Sequence, residues 1–311
     1  GIMAGVLYLT QGEQIRVLGI NLFALRFIEL AAFARVMMRH EFSFRNLNQI
    51  DRALLWLYSV TTLIFLLRSS EGFAYQIGIA VDAFLCYFTF RGLLQGLEDY
   101  TWFLRAFLIL LLPYAALILL ESFTGYNVFA SMGGIDYGSW LREGRLRCQG
   151  SFRHPSLLGT LGATFIPLYI SLGLTKGSRP IAVIGLLACL AIVGASNSGG
   201  PASCAAVGIV GWCFWKIRTR MKLVRRGTVV VIVTLALVMK APVWYLVARV
   251  SAITGGDGWH RAYLMDVAFQ HFGDWWLAGM AIAKTNGWFQ YSIAATGGSD
   301  ITNQYISWGL D

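Results

Sequence analysis

The chain has 311 residues, 57% of them hydrophobic and only 13% charged, with a net charge of +9 and a mean hydropathy of +0.60. A soluble domain carries roughly 25% charged residues, so this balance excludes a soluble globular protein and points to a polytopic helical membrane protein. The basic residues fall in alternate loops, with no basic helix of interleaved aromatics apart from the apolar segments, which excludes nucleic acid as a partner.

Three stretches carry no charge at all: 106–120, 155–175 and 180–215. A bilayer crossing takes about 20 mostly apolar residues. The 36 residues of 180–215 exceed one crossing, and "SNSGGP" at 196–201 supplies a turn in their middle. Eight spans follow in chain order: 17–38, 53–68, 74–95, 103–121, 156–174, 180–196, 201–216 and 227–248. The expected fold is an all-α transmembrane bundle of about eight spans, a single domain over 1–311. The chain opens without a cleavable signal peptide. It stops at "YISWGLD", where another apolar stretch begins, so it reads as truncated at its C-terminal side.

Four basic connections, 35–52, 91–105, 176–179 and 216–226, alternate along the chain. The positive-inside rule puts them all in the cytoplasm. Two long loops, 122–155 and 249–303, then face outward. The first carries Arg142, Arg145, Arg147 and Arg153 against the usual charge bias, so these arginines need a reason. The second contains Leu264, Val267, Ala268, Phe272 and Trp275 at helical spacing, with Asp266, Gln270 and Asp274 opposite. That pattern predicts an amphipathic helix on the membrane surface or against the bundle.

Ionisable residues also lie within the expected spans. Arg26 and Glu29, three residues apart, can pair on one helix face, whereas Asp82 has no evident partner. The five cysteines show no paired or metal-ligand spacing, and Cys148 on the outer side reads as a partly buried thiol. Phosphate-binding loops, dinucleotide fingerprints, zinc-protease motifs and serine-hydrolase elbows are all missing from the sequence. No cofactor and no metal is expected.

What remains is a set of outer-face arginines beside a membrane entrance. Arginine presents a planar fork of donors to phosphate oxygens and keeps its charge. At headgroup depth it suits a lipid pyrophosphate and an anionic phospholipid headgroup alike.

"RCQGSFRHPSLLG" (147–159) resembles the signature of the O-antigen ligase and O-antigen polymerase family of bacterial inner-membrane proteins. Arg147, Gly150, Phe152 and Pro155 match, and Ser156 stands where Asn is usual. "GASNSGGPA" (194–202) resembles that family's later span end with Ser-x-Ser, with Gly199 where an Arg is common. "GWHRAYLMDVAFQHFGDWWLAG" matches a third segment at Arg261 and Gly279, and "DITNQYISWGL" (300–310) a fourth at Asn303 and Tyr305.

The resemblance implies a glycosyltransferase of the GT-C-like kind, independent of metal and nucleotide. It would transfer or polymerise glycan from an undecaprenyl-pyrophosphate-linked donor to a glycan or lipid acceptor. It implies Arg147, Arg153 and Arg261 as pyrophosphate ligands, with His154, Asn303 and Tyr305 as further substrate contacts. The family's histidine position falls on Thr302, a poor general base, and Asp300 two residues earlier could substitute. His260 and His271 lie on the same side. This departure points away from a strict ligase and toward a polymerase or exopolysaccharide branch, and leaves open a protein without catalysis. Two other classes fit the sequence: a transporter or flippase using Arg26, Glu29 and Asp82, and a non-catalytic subunit of an envelope polysaccharide machine.

Overall fold

The computed structural model describes residues 5, 7–10, 12, 14–17, 20–68, 73–135, 140–142, 144–249, 258–277, 279–280, 287–291, 301 and 303–310. Most of them are helical. The chain divides into two compact units, Gly1–Ile209 and Val210–Asp311.

The first unit opens with an antiparallel hairpin, β1 (Gln14–Val17) and β2 (Ile20–Phe23), in register Gln14↔Phe23. Helix α1 (Ala24–Met38) follows with 15 residues, about 22 Å of rise. That is short of the roughly 30 Å hydrocarbon core. The expected span 17–38 is thus a hairpin leading into a short helix, because extended pairing takes the residues on its N-terminal side.

Helices α2 (Gln49–Arg68), α3 (Phe73–Leu93) and α4 (Leu97–Thr124) come next. A reciprocal cap starts α2: the Asn48 amide donates to Asp51 Oδ2 at 2.8 Å and the Asp51 amide to Asn48 Oδ1 at 2.7 Å. The remaining Asp51 oxygen accepts Tyr87 Oη from α3 at 2.7 Å, so a fully buried carboxylate ties α2 to α3. At the start of α4, Asp99 accepts the amide of Gly96 at 3.0 Å, and Gly125 ends the helix with φ +73°.

Helices α5 (Pro155–Leu172) and α6 (Arg179–Ala195) form the tightest pair of the unit, with α7 (Gly199–Cys213) beside them. Glycine makes the approach possible. A β-carbon on Gly162 would stand 2.8 Å from the Cys189 carbonyl, one on Gly159 2.7 Å from Pro201, and one on Gly185 would overlap the edge of the Tyr169 ring. Leu158, Ile166, Tyr169 and Ile192 fill the resulting core with Tyr114 and Ile118 of α4.

The two ends of these helices are tied differently. Where α4 and α6 begin, Arg105 Nη2 donates to Ser178 Oγ at 2.8 Å. Where α4 and α6 finish and α5 and α7 begin, the segment after strand β4 is held. That segment follows a second hairpin of β3 (Trp140–Arg142) and β4 (Arg145–Arg147).

In the second unit, α8 (Met221–Val238) buries no side chain, and Val229 to Val233 stand about half exposed. Helix α9 (Gly258–Gln270) forms where the apolar spacing predicted a helix. Leu264, Val267 and Ala268 are buried with Phe289, Ile306 and Leu310, while Gln270 is exposed and donates to Asp266 Oδ2 at 3.0 Å.

Among the described residues, three helices are long and apolar enough to cross a membrane: Gln49–Leu67, Leu97–Thr124 and Pro155–Leu172. A fourth counts if Gly199–Val238 and Val243–Arg249, bent by 99°, make one crossing. The expected span 227–248 breaks inside this bend, at Met239–Pro242. Arg179–Ala195 is apolar but shorter.

Candidate functional site

The segment Cys148–Ser151 connects strand β4 to helix α5, and side chains from α4 fix its backbone. Glu121, in the last turn of α4 and 4% exposed, accepts the Gln149 amide on Oε1 at 2.9 Å and the Gly150 amide on Oε2 at 3.0 Å. A carboxylate near a helix C-terminus is disfavoured by the macrodipole, and two charge-assisted backbone donors offset that. Gly150 has φ +56°, and a β-carbon there would lie 2.5 Å from both Tyr114 Oη and Ile118 Cδ1. Its carbonyl accepts Asn127 Nδ2 at 2.9 Å. The Cys148 amide donates to the Ala195 carbonyl at 3.0 Å, and Ser151 Oγ to the Leu7 carbonyl at 2.6 Å. Burial, with the Glu121 charge adding to it, pushes the Cys148 thiol up to about 12. Cys148 is fully buried and reduced, where the sequence suggested partial burial.

This turn carries Arg147 to the amino ends of α5 and α7. Arg147 is 8% exposed, and its Nη2 lies 3.4 Å from Ser198 Oγ. Ser198, just before α7, bonds Ser156 Oγ of the first turn of α5 at 2.8 Å. Asn197, with φ +41°, donates from Nδ2 to the Leu146 carbonyl at 2.6 Å. Two segments singled out in sequence, 147–159 and 194–202, therefore meet through Arg147, Ser198 and Ser156. Helix N-termini present unbonded amides and partial positive charge. The buried Arg147 guanidinium adds a formal positive charge beside the start of α7, and the Ser156–Ser198 bond brings the start of α5 next to it.

His154 caps α5: its Nδ1 accepts the Ser156 amide at 3.1 Å. A nitrogen engaged in this way is a helix cap and not an open base. Arg153 is exposed, with its guanidinium carbon 5.9 Å from the centre of the Phe23 ring, and the Arg26 guanidinium lies 5.5 Å from the same ring. Arg153 and Arg147 thus diverge, one toward Phe23 of β2 and one toward Ser198.

Arg26 pairs across to α3, with Nε 2.6 Å from Asp82 Oδ1 and Nη2 2.7 Å from Asp82 Oδ2. The partner that the sequence does not show for Asp82 is Arg26, whose spacing instead predicts pairing with Glu29 on its own helix. Glu29 instead accepts the Cys86 thiol on Oε1 at 3.1 Å.

In the second unit, Arg261 is exposed on α9. Asn303 caps α10 (Gln304–Leu310), its Oδ1 accepting the Tyr305 amide at 3.1 Å, and Tyr305 is 92% exposed. His271 stacks on Trp288 at 4.0 Å and lies 3.5 Å from Asp274. Asp300 and Thr302, the expected base positions, lie outside the described residues.

Sequence reasoning passed over Glu121, Asn127 and Tyr114. One signal was available: Glu121 is the sole carboxylate between Asp99 and Asp136, at the end of an apolar span. Asn127 and Tyr114 gave none. No protein-family model, curated protein or solved structure matches the chain. Among the described residues, no group of three or more His, Cys, Asp or Glu is placed to hold a metal ion.

Proposed function

We propose that the chain is a multi-pass glycosyltransferase of a bacterial inner membrane, acting on its outer face on a glycan carried by undecaprenyl pyrophosphate. The observation that supports this reading best is the cluster of Arg147, Ser198 and Ser156. Two helix N-termini, a buried guanidinium and the Ser156 and Ser198 hydroxyls together suit a phosphoryl group. A pyrophosphate leaving group needs this kind of fixed positive field, because negative charge builds on it as the anomeric bond breaks. The acceptor is a hydroxyl of a second glycan or lipid. In this reading the chain crosses about eight times, with 122–155 and 249–303 outside.

The competing transport reading draws on Arg26, Glu29 and Asp82, and two of those three close on each other as an ion pair.

The test is Arg147→Ala and Arg261→Ala, made singly in the host with membrane expression confirmed. We expect Arg147→Ala to lower surface polysaccharide about a hundredfold, the lower end of the effect of one lost electrostatic donor, and to accumulate lipid-linked glycan. Normal chain length and no accumulated intermediate in both variants would sink the proposal.

A further inference from the structure

Helices α1 and α3 bury a small ionisable cluster that the proposed transfer reaction does not use. Arg26 and Asp82 form a two-point pair with side chains 11% and 39% exposed. Glu29, one turn along α1 from Arg26, is 4% exposed. Its Oε1 takes the weak thiol donor of Cys86, while Oε2 is buried and has no hydrogen-bond partner among the described residues. Buried carboxylate oxygens are nearly always bonded, and one that is not calls for an explanation.

We propose that Glu29 is a proton-binding site. The groups that act on it are Arg26 on its own helix and Asp82 and Cys86 on α3. Strand β2, which also packs on α1, contributes no ionisable residue. Two carboxylates therefore act on one guanidinium, and Asp82 already engages its Nε and Nη2. Ionised Glu29 leaves the cluster one negative charge in excess in an apolar setting, where uncompensated charge is costly. A proton on Oε2 removes the excess, and the acid form keeps Oε1 as acceptor for Cys86. On release the proton passes to water. The Glu29 carboxylate then competes with Asp82 for Arg26. Arg26 shares the Phe23 ring with Arg153, so this competition reaches a side chain of the outer loop. The inference does not depend on glycan transfer.

Infrared spectroscopy of the whole chain in phospholipid nanodiscs tests it directly. The carbonyl stretch of a protonated carboxylic acid is followed from acidic to alkaline buffer. We expect a band in the wild type that fades as the buffer becomes alkaline, and its complete loss in Glu29→Gln. Cys86→Ala should shift the band without removing it, because only the thiol donor is gone. That shift assigns the band to Glu29 even if Glu29→Gln does not fold. A wild-type spectrum without such a band, or a band indifferent to both substitutions, overturns the proposal. So does a band that appears only after sodium is withdrawn, which would make the ligand a sodium ion.

Discussion

The turn at Cys148–Ser151 and the cluster around Glu29 are both buried polar assemblies tied to apolar helices, but one is closed and the other open. In the turn, both oxygens of Glu121 meet backbone amides, and the Gly150 carbonyl and the Ser151 amide find side-chain partners. In the cluster, one Glu29 oxygen meets no partner among the described residues. A closed network fixes a backbone, and everything it needs lies within the chain. An open one of the same depth needs something from outside, here a proton. The contrast separates polar groups that shape the candidate site from a polar group that takes a ligand.

The comparison breaks most readily at Glu121. Glu121→Ala strands two buried amides, and a loss of about 2–4 kcal/mol is expected, read as a lowered unfolding midpoint in detergent. The same variant should expose Cys148. In the wild type, burial favours the protonated thiol. Its contribution to stability is complete below the ordinary thiol range near 9 and fades as pH rises toward about 12. Alkylation of Cys148 should therefore be negligible at mildly alkaline pH in the wild type and rapid in Glu121→Ala. Equal rates in both would mean that Glu121 does not hold the turn.

Gly150→Ala should cost about 1–3 kcal/mol, from a left-handed backbone together with overlap on Tyr114 and Ile118. Polysaccharide output should fall with it, since the turn places Arg147. Wild-type stability in this variant would show that the turn relaxes easily.

Asp82→Asn should have the smallest effect, about 1–2 kcal/mol, because the pair is partly exposed. It also sharpens the contrast: with Arg26 released toward Glu29, the carboxylic-acid band should fade at lower pH than in the wild type. An unchanged titration would show that the two carboxylates do not share Arg26.

Several helices were legible in the sequence because uninterrupted apolar composition is a local property. The expected spans 53–68, 103–121, 156–174 and 180–196 lie within or nearly on Gln49–Arg68, Leu97–Thr124, Pro155–Leu172 and Arg179–Ala195. The expected span 17–38 did not become one helix, since a hydropathy window cannot tell a paired strand from a helical turn. Arg147 stands out in the sequence through its resemblance segment with Gly150, Phe152 and Pro155. Its approach to Ser198, 51 residues away, was not. Arg26 and Asp82, 56 residues apart, were read separately, because no local spacing links one helix to another.

The sequence by itself determined that the chain is apolar enough to enter a membrane, where its charges gather, and which short segments carry the arginines. Those features depend on composition and on neighbours within a few residues. The tertiary structure decided which buried charges are answered. Helix packing through Gly159, Gly162 and Gly185 brings the ends of α5, α6 and α7 together around Arg147. Glu121 is spent on a backbone turn, and the α1–α3 contact gives Arg26 to Asp82 and leaves Glu29 with one oxygen to fill.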